Sequence, residues 1–379
     1  MPATPVGRAL PLWLTVVLGV AGAGGAAWAL RTAAPILGPV VLAFVLCVVG
    51  HPMTGALQRR GVRRGLAVAV TVFVLEGALI GFAVALFLSF GRLATVLPEY
   101  SEEWADLLDG ARSTLAGAGI GPEQVEAALR TVGPEAVLSA VQGVLAGFGG
   151  WIAALVLVLA TVLFMTAEGA ELPARLAQAP GTWRLRGALR GFARNTRRYV
   201  VVTTVFGAVV AVVDTVALVV IGIPLPLLWG LLSFLTNYVP NIGFFLGLAP
   251  PALLALLVGG PGLALVVVLV YSLANFVIQS VVQPVFVGDA VGLSVTLSFL
   301  SVIVWTTVLG PLGALLAVPL TLFVHAVLVG QDPERQWARI LLEGTAGARR
   351  RAAGGDRRER AEPPPSPDAP PAPRVASTG

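Results

Sequence analysis

Residues 227–258 read LLWGLLSFLTNYVPNIGFFLGLAPPALLALLV, and residues 295–329 read VTLSFLSVIVWTTVLGPLGALLAVPLTLFVHAVLV. Each stretch has two apolar arms around a tight turn that contains proline and glycine. An arm of about 13–16 residues reaches about 20–24 Å, which is shorter than the roughly 30 Å hydrocarbon core of a bilayer. At membrane depth, broken helices are tolerated only where they are buried in protein or line a watery cavity. Such a pair, here called the first hairpin (227–258) and the second hairpin (295–329), is typical of a transporter's binding site.

The composition of the chain is that of a membrane protein. Hydrophobic residues make up 56% of its 379 residues and charged residues only 12%, whereas a soluble domain carries about 25% charged residues. The single cysteine, Cys47, permits no intrachain disulfide, and the histidines, His51 and His325, lack metal-ligand spacing. The sequence motifs of ATPases and of intramembrane proteases do not occur in it. We therefore predict no metal, no cofactor and no enzymatic activity.

Six further apolar segments are long enough to cross the bilayer, which predicts an all-α polytopic membrane protein with six full spans and two broken hairpins. The basic residues are all arginines, concentrated after the second span, after the fourth span and in the C-terminal tail. By the positive-inside rule these segments and both termini are cytoplasmic. The partner of these charges is then the lipid bilayer and not nucleic acid. The six segments are residues 11–30, 33–50, 66–91, 149–167, 199–221 and 263–286.

The predicted spans place the two hairpins in opposite orientations. The fifth span leads into the first hairpin from outside, and the sixth span leads into the second hairpin from inside. One span plus one re-entrant hairpin, repeated upside down in the C-terminal half, is the inverted-repeat arrangement of secondary transporters. The arginine pattern fits equally well if each hairpin is two short spans, so both models stay open.

The charge pattern divides the chain into five regions. An acidic segment has apolar residues at helical spacing, which predicts a small extracytoplasmic domain of amphipathic helices or, alternatively, a solvated loop. The C-terminal segment is rich in arginine and proline, and a composition so poor in apolar residues predicts a disordered cytoplasmic tail. The regions are the N-terminal spans (1–92), the extracytoplasmic domain (93–148), the fourth span with an arginine-rich cytoplasmic loop (149–198), the transport core (199–330) and the tail (331–379).

A stripe of amides on the sixth span is one candidate for the solute pathway. Asn275, Gln279 and Gln283 recur at every fourth residue and therefore share one helix face. Amides in hydrocarbon need partners, so this face points at protein or at a cavity. It serves either a hydroxyl-rich solute or dehydrated cation, or contacts between helices.

The two hairpin turns are the other candidates for the pathway. Proline interrupts each helix and glycine permits close backbone approach, which leaves carbonyl and N–H groups free to bind a substrate. The alternative is a purely structural kink. The predicted residues are Asn237, Pro240, Asn241 and Gly243 in the first turn and Gly310, Pro311 and Gly313 in the second.

Two carboxylates lie inside predicted spans, Glu76 in the third and Asp214 in the fifth. Ionisable groups are costly in lipid, so each is a candidate carrier of a proton or a sodium ion. The alternative for each is pairing with a hydroxyl or backbone group of a neighbouring span.

Short motifs in the C-terminal half carry a family resemblance. They are Ile223-Pro224, Leu228-Trp229-Gly230, Asn237-Tyr238-Val239-Pro240-Asn241-Ile242-Gly243, Pro250-Pro251, Gln283-Pro284, Gly292-Leu293, Gly310-Pro311-Leu312-Gly313 and Ala317-Val318-Pro319-Leu320. At these motifs the chain resembles the autoinducer-2 exporter (AI-2E) family of bacterial permease-like proteins. The resemblance implies a multi-pass inner-membrane protein that forms homo-oligomers. It further implies export of a small quorum-sensing solute or, alternatively, sodium/proton antiport.

Three functions are compatible with these patterns. The first is a secondary transporter or exporter of a small polar solute such as autoinducer-2, with its site between the hairpins. The second is a sodium/proton antiporter that uses Asp214, with Glu76 as a further candidate. The third is a membrane scaffold that transports nothing and binds partners through its acidic domain or its tail. Paired broken helices favour transport, because an anchor has no use for them.

Overall fold

The computed structural model is helical in every element that it describes. It describes residues 11–117, 123–124, 133–169, 178, 183–240, 242–282 and 294–328. A short 3₁₀ segment (Leu97–Tyr100) joins α3 to α4, and a π-helical segment (Phe276–Val282) continues α9. The α-helices in these residues are α1 (Leu12–Thr32), α2 (Ala34–Arg59), α3 (Arg64–Val96), α4 (Ser101–Gly117), α5 (Pro134–Ala146), α6 (Phe148–Gly169), α7 (Trp183–Ile221), α8 (Pro226–Thr236), α9 (Gly243–Asn275), α10 (Val295–Leu309) and α11 (Pro311–Leu328).

Five helical stretches of the described chain are long and apolar enough to cross a membrane. Three shorter apolar helices correspond to arms of the two hairpins. This pattern bears out an all-helical, multi-pass membrane protein, while the number of spans and the inverted repeat stay predictions. The five stretches are Ala34–Arg59, Arg64–Leu115, Glu135–Glu168, Leu185–Ile221 and Gly243–Ser280.

The outer surface of the helices is apolar, as expected for a protein surrounded by lipid. Phe73 on α3, Phe164 on α6 and Val220 on α7 expose 77%, 65% and 81% of their surface. A monomeric soluble protein rarely exposes contiguous apolar patches of this kind. Several polar side chains of these helices, among them Asp214, Ser233 and Thr236, are buried where α7 packs against α8, α9 and α11.

The first hairpin is two helices joined by a six-residue turn. Helix α8 begins at Pro226, where proline suits the first turn of a helix because its missing N–H would be unpaired there anyway. The second arm begins at Gly243, and the α9 backbone leaves helical geometry at Gly259 and Gly260. At Gly260, φ is +71°, which L residues with a side chain rarely adopt. The arm 243–258 is therefore separated from the rest of α9 by a built-in break.

The second hairpin turns at a single residue. Gly310 has φ +69° and ψ −151°, a conformation that is essentially restricted to glycine. Pro311 directly follows it as the first residue of α11. The turn predicted over four residues is thus tighter than the sequence suggests, because proline starts the next helix instead of prolonging the turn.

The arginine-rich segment before residue 199 is helical from Trp183 onward. Trp183 begins a 39-residue helix that contains the arginines and continues into the apolar part of α7. Arginine is a good helix former, and Phe192 on this segment stacks on Phe44 of α2 with ring centroids 5.7 Å apart. Its cytoplasmic location stays a prediction.

The acidic segment contains α4 and α5, which are amphipathic as the spacing predicts. Trp104 on α4 and Val141 on α5 are buried in one cluster with Leu93 of α3 and Leu254 of α9. The two helices therefore pack on the end of α3 and on the first hairpin. That this part forms a separate extracytoplasmic domain stays a prediction.

One long-range contact ties α2 to α7. Pro52 lies inside α2 and has no N–H, so the Val48 carbonyl four residues earlier lacks its helical partner. The Arg197 guanidinium donates to that carbonyl oxygen from Nε at 3.3 Å and from Nη2 at 3.2 Å. A charged donor thus satisfies an acceptor that the proline has released.

We expect Arg197→Leu to destabilise the purified protein by about 1.5–3 kcal/mol, the range for a hydrogen bond to a charged group. Thermal unfolding in detergent measures the change. Because Pro52→Ala restores a backbone N–H for Val48, the same substitution should cost clearly less in that background. Arg190→Leu is the matched control, since the Arg190 side chain is exposed and, among the described residues, donates to the Arg186 carbonyl oxygen of its own helix. Equal costs of Arg197→Leu in both backgrounds would contradict this explanation of the contact.

Candidate functional site

A small cleft lies where α7 meets both arms of the first hairpin and the end of α9. Its free space is about 10 Å³, roughly the room that one water molecule needs. Among the described residues the lining is uncharged and combines hydroxyl and amide groups with glycine and a few apolar side chains. The lining residues are Val210, Ser233, Thr236, Asn237, Gly243, Phe244, Gly247, Tyr271, Asn275 and Gln279.

The first turn is held onto α7 by two of its own residues. The Asn237 side-chain amide donates to the Thr203 carbonyl oxygen at 3.2 Å. The Tyr238 hydroxyl shares a hydrogen bond of 2.6 Å with Thr204, and the Tyr199 hydroxyl donates to the Tyr238 carbonyl oxygen at 3.0 Å. These bonds place the turn, and with it the edge of the cleft, at a fixed position along α7.

Three amides meet at the mouth of the cleft. The Gln279 side-chain amide donates to the Asn237 side-chain oxygen at 3.4 Å and also to the Asn275 side-chain oxygen. Gln279 lies in the π-helical segment that begins at Phe276. Such segments are rare in proteins, and those that exist are frequently found at functional sites. The amides of the first turn and of the sixth predicted span are thereby joined in one network.

Close packing of the hairpin arms makes this arrangement possible. A Cβ atom added at Gly243 would lie less than 3.0 Å from the Thr236 carbonyl oxygen, closer than real Cβ atoms come. At Gly247 an added Cβ would lie 2.8 Å from the Thr236 hydroxyl oxygen. Only glycine at these positions lets the two arms approach so near to each other.

The structure brings together part of the predicted site. Asn237, Gly243, Asn275 and Gln279 line the cleft, while Pro240 lies in the turn beside it and is half-buried. Asn241 and Gln283 lie outside the described residues. Whether any of these residues contacts a solute stays a prediction.

The predicted residues of the second turn lie elsewhere. Gly310, Pro311 and Gly313 do not line the described cleft. Leu312 between them packs against Gly38 of α2, where an added Cβ would come within 3.1 Å of the leucine side chain. The described contacts of this turn are therefore with the N-terminal helices.

The two predicted carboxylates have different surroundings. Asp214 lies on α7 one helical turn after Val210, a lining residue of the cleft, and is completely buried. Glu76 lies on α3, is only half-buried and does not line the cleft. The sequence names Asp214 as the first candidate and Glu76 as the second, and of the two the structure puts Asp214 next to the candidate site.

Sequence patterns missed three polar lining residues, Ser233, Thr236 and Tyr271. The signal for them is present. Ser233, Thr236 and Asn237 share one face of α8 at helical spacing, and Tyr271 precedes Asn275 by four residues, so it extends the amide stripe by one turn. A hydroxyl residue within an apolar run is easily interpreted as a residue that only packs between helices, and for this reason the sequence patterns do not single out these three.

These features define the class of the protein. It is a multi-pass helical membrane protein in which a broken helix borders a polar cleft, a feature that also occurs at the binding sites of transporters. The chain belongs to the AI-2E transporter family, whose family model matches residues 14–329.

Relatives agree with this assignment. The chain is 30% identical to the AI-2 transport protein TqsA of Escherichia coli K12 over 305 residues, which cover 79% of this chain and 87% of TqsA. It is 29% identical to YhhT of the same organism over 295 residues, which cover 77% of this chain and 84% of YhhT. The similarity therefore spans nearly the whole of both relatives.

Proposed function

We propose that this protein is a secondary transporter that moves a small, uncharged polar solute across the bacterial inner membrane through the cleft at the first hairpin. The observation that carries the proposal is the meeting of three amides, Asn237, Asn275 and Gln279, at a broken helix. Neutral hydrogen-bond donors and acceptors can bind the hydroxyl groups of a solute that carries no charge. No charged side chain among the described residues lines the cleft.

The solute class that we propose is that of autoinducer-2, a small hydroxyl-rich signal, and the direction is export. The support for this choice is the similarity to TqsA, an AI-2 transport protein. Amide side chains at the cleft fit such a solute because each offers both a donor and an acceptor to a hydroxyl group.

Transport through this cleft requires it to open, since its free space suits about one water molecule. The break at Gly259 and Gly260 separates the arm 243–258 from the remainder of α9. We propose that this arm moves relative to α7 and so exposes the amides to one side at a time. Movement of one element around a fixed site is how alternating access operates in repeat-built transporters.

The test is efflux of labelled autoinducer-2 from proteoliposomes, with a pH dye inside and sodium varied outside. We expect Gln279→Leu to lower the flux about tenfold, because the free energy of one hydrogen bond corresponds to roughly a tenfold change in affinity. Gln142→Leu is the control, since it makes the same change on the exposed surface of α5. Flux in Gln279→Leu equal to that of the control would contradict the proposed pathway.

The buried Asp214 favours a second candidate function, sodium/proton antiport. A carboxylate enclosed in protein at this depth is a candidate ion carrier. The same proteoliposomes separate the two functions: a sodium-dependent change in internal pH without solute flux would replace the first proposal by the second.

A further inference from the structure

Three buried side chains beside the cleft have unpaired polar atoms. Asp214 on α7, Ser233 on α8 and Tyr271 on α9 expose 0%, 6% and 1% of their surface. None of the two carboxylate oxygens and two hydroxyl oxygens of this group has a hydrogen-bond partner of good geometry. The Ser233 hydroxyl lies within hydrogen-bonding reach of both the Asp214 carboxylate and the Tyr271 phenol, but its single proton can serve only one of them. Four oxygens from three helices therefore converge with no well-formed hydrogen bond and no positive charge among them.

Such an arrangement is unstable unless something neutralises it. Buried charges in proteins are paired or coordinate a metal, and buried polar groups are nearly always hydrogen-bonded. Within the described part of the chain no arginine or histidine pairs with Asp214. The cluster thus lacks a positive charge that would neutralise the carboxylate, and it lacks a bound group to which its oxygens could be ligands.

We propose that Asp214, Ser233 and Tyr271 form a binding site for a sodium ion. Carboxylate and hydroxyl oxygens are hard ligands that suit hard cations. A monovalent ion matches the single carboxylate, whereas a divalent ion would leave a net positive charge in the interior. One bound cation can be ligated by all four oxygens at once and neutralises the carboxylate, whereas a proton on Asp214 adds only a single donor to the cluster.

The site is connected to the candidate pathway through shared side chains. Ser233 and Tyr271 line the cleft and also lie beside Asp214. A cation held between α7, α8 and α9 would draw both arms of the first hairpin toward α7. Sodium binding therefore opposes opening of the cleft. Binding and release of the ion are in this way coupled to movement of the arm.

This inference deepens the proposed function, but its test does not require transport. Binding of ²²Na⁺ to the purified full-length protein in detergent is measured as a function of sodium concentration. We expect saturable binding by the wild type, its loss in Asp214→Asn, and affinity about tenfold lower in Ser233→Ala and in Tyr271→Phe. Glu76→Gln, which changes the other intramembrane carboxylate, should bind like the wild type.

The result is decisive even if a variant is unstable. Tyr271→Phe removes only one hydroxyl group from a buried ring, and its thermal unfolding shows whether the fold is kept. The sodium site is overturned if the wild type shows no saturable ²²Na⁺ binding. It is also overturned if the folded Tyr271→Phe variant and the Asp214→Asn variant each bind sodium with unchanged affinity. Proton uptake without sodium binding also overturns it. Sodium binding without solute flux in proteoliposomes would keep this site and reject only the solute pathway.

Discussion

Replacing Gly243 with alanine is expected to abolish solute flux and to lower the thermal stability of the purified protein strongly. The added Cβ would lie less than 3.0 Å from the backbone carbonyl oxygen of Thr236, and a backbone atom cannot rotate out of the way as a side chain can. Overpacking typically costs about 1–3 kcal/mol, and we expect a value at or above the upper end. To make room for the added Cβ, the two arms of the first hairpin must separate. This displaces the turn between them, which carries the cleft residue Asn237.

Gly262→Ala is the matched control for this substitution. Gly262 also lies in α9, and an added Cβ there meets no atom within 4 Å. Alanine is also a better helix former than glycine, so this variant should be as stable as the wild type or slightly more stable. Flux and unfolding temperature are measured on both variants. Wild-type flux in Gly243→Ala would show that the arms tolerate separation and that the close approach is unimportant.

The broken helices are the part of the fold that local sequence predicts best. Proline and glycine act where they stand, so the turns after Thr236 and at Gly310 follow from the residues themselves. The start of α7 is different. Leu185, Leu189 and Phe192 recur there at helical spacing among the arginines, so the helix itself could be derived from local sequence. The stacking of Phe192 on Phe44 of α2 could not, because it depends on tertiary packing.

The candidate site shows the same limit. A helix face can be derived from spacing, and Asn275 and Gln279, which share such a face, are hydrogen-bonded to each other. Which other helix meets that face is a matter of tertiary packing. The contact of Gln279 with Asn237 joins residues 42 positions apart, and the proximity of Asp214 to Tyr271 likewise joins α7 to α9. Spacing alone cannot distinguish Asp214 from Glu76. The two differ in burial, because other helices cover Asp214 completely and Glu76 only in part.

The second hairpin repeats the packing device of the first. In both hairpins a glycine near the start of the second arm lies against a carbonyl oxygen of the first arm, Thr236 for Gly243 and Trp305 for Gly313. In the second hairpin the Trp305 indole N–H also donates to the Thr321 hydroxyl at 3.0 Å, which ties the two arms together. The two hairpins thus have a similar local construction but different surroundings, since only the first borders the cleft.

We therefore expect Gly313→Ala to destabilise the protein as strongly as Gly243→Ala does, by about 3 kcal/mol or more. An added Cβ would lie less than 3.0 Å from the Trp305 carbonyl oxygen and 3.0 Å from the Leu309 side chain, so neither arm can yield without moving its backbone. Thermal unfolding in detergent measures the loss, with Gly77→Ala as the control because its added Cβ meets no atom within 4 Å.

The two glycine substitutions should differ in solute affinity. Gly313 does not line the described cleft, so the protein that remains folded in Gly313→Ala should bind solute with wild-type affinity. The affinity is measured below the unfolding temperature of that variant. Weaker binding by this folded fraction would place the second hairpin in the pathway, as the sequence predicts, and would require that both hairpins close on the solute together.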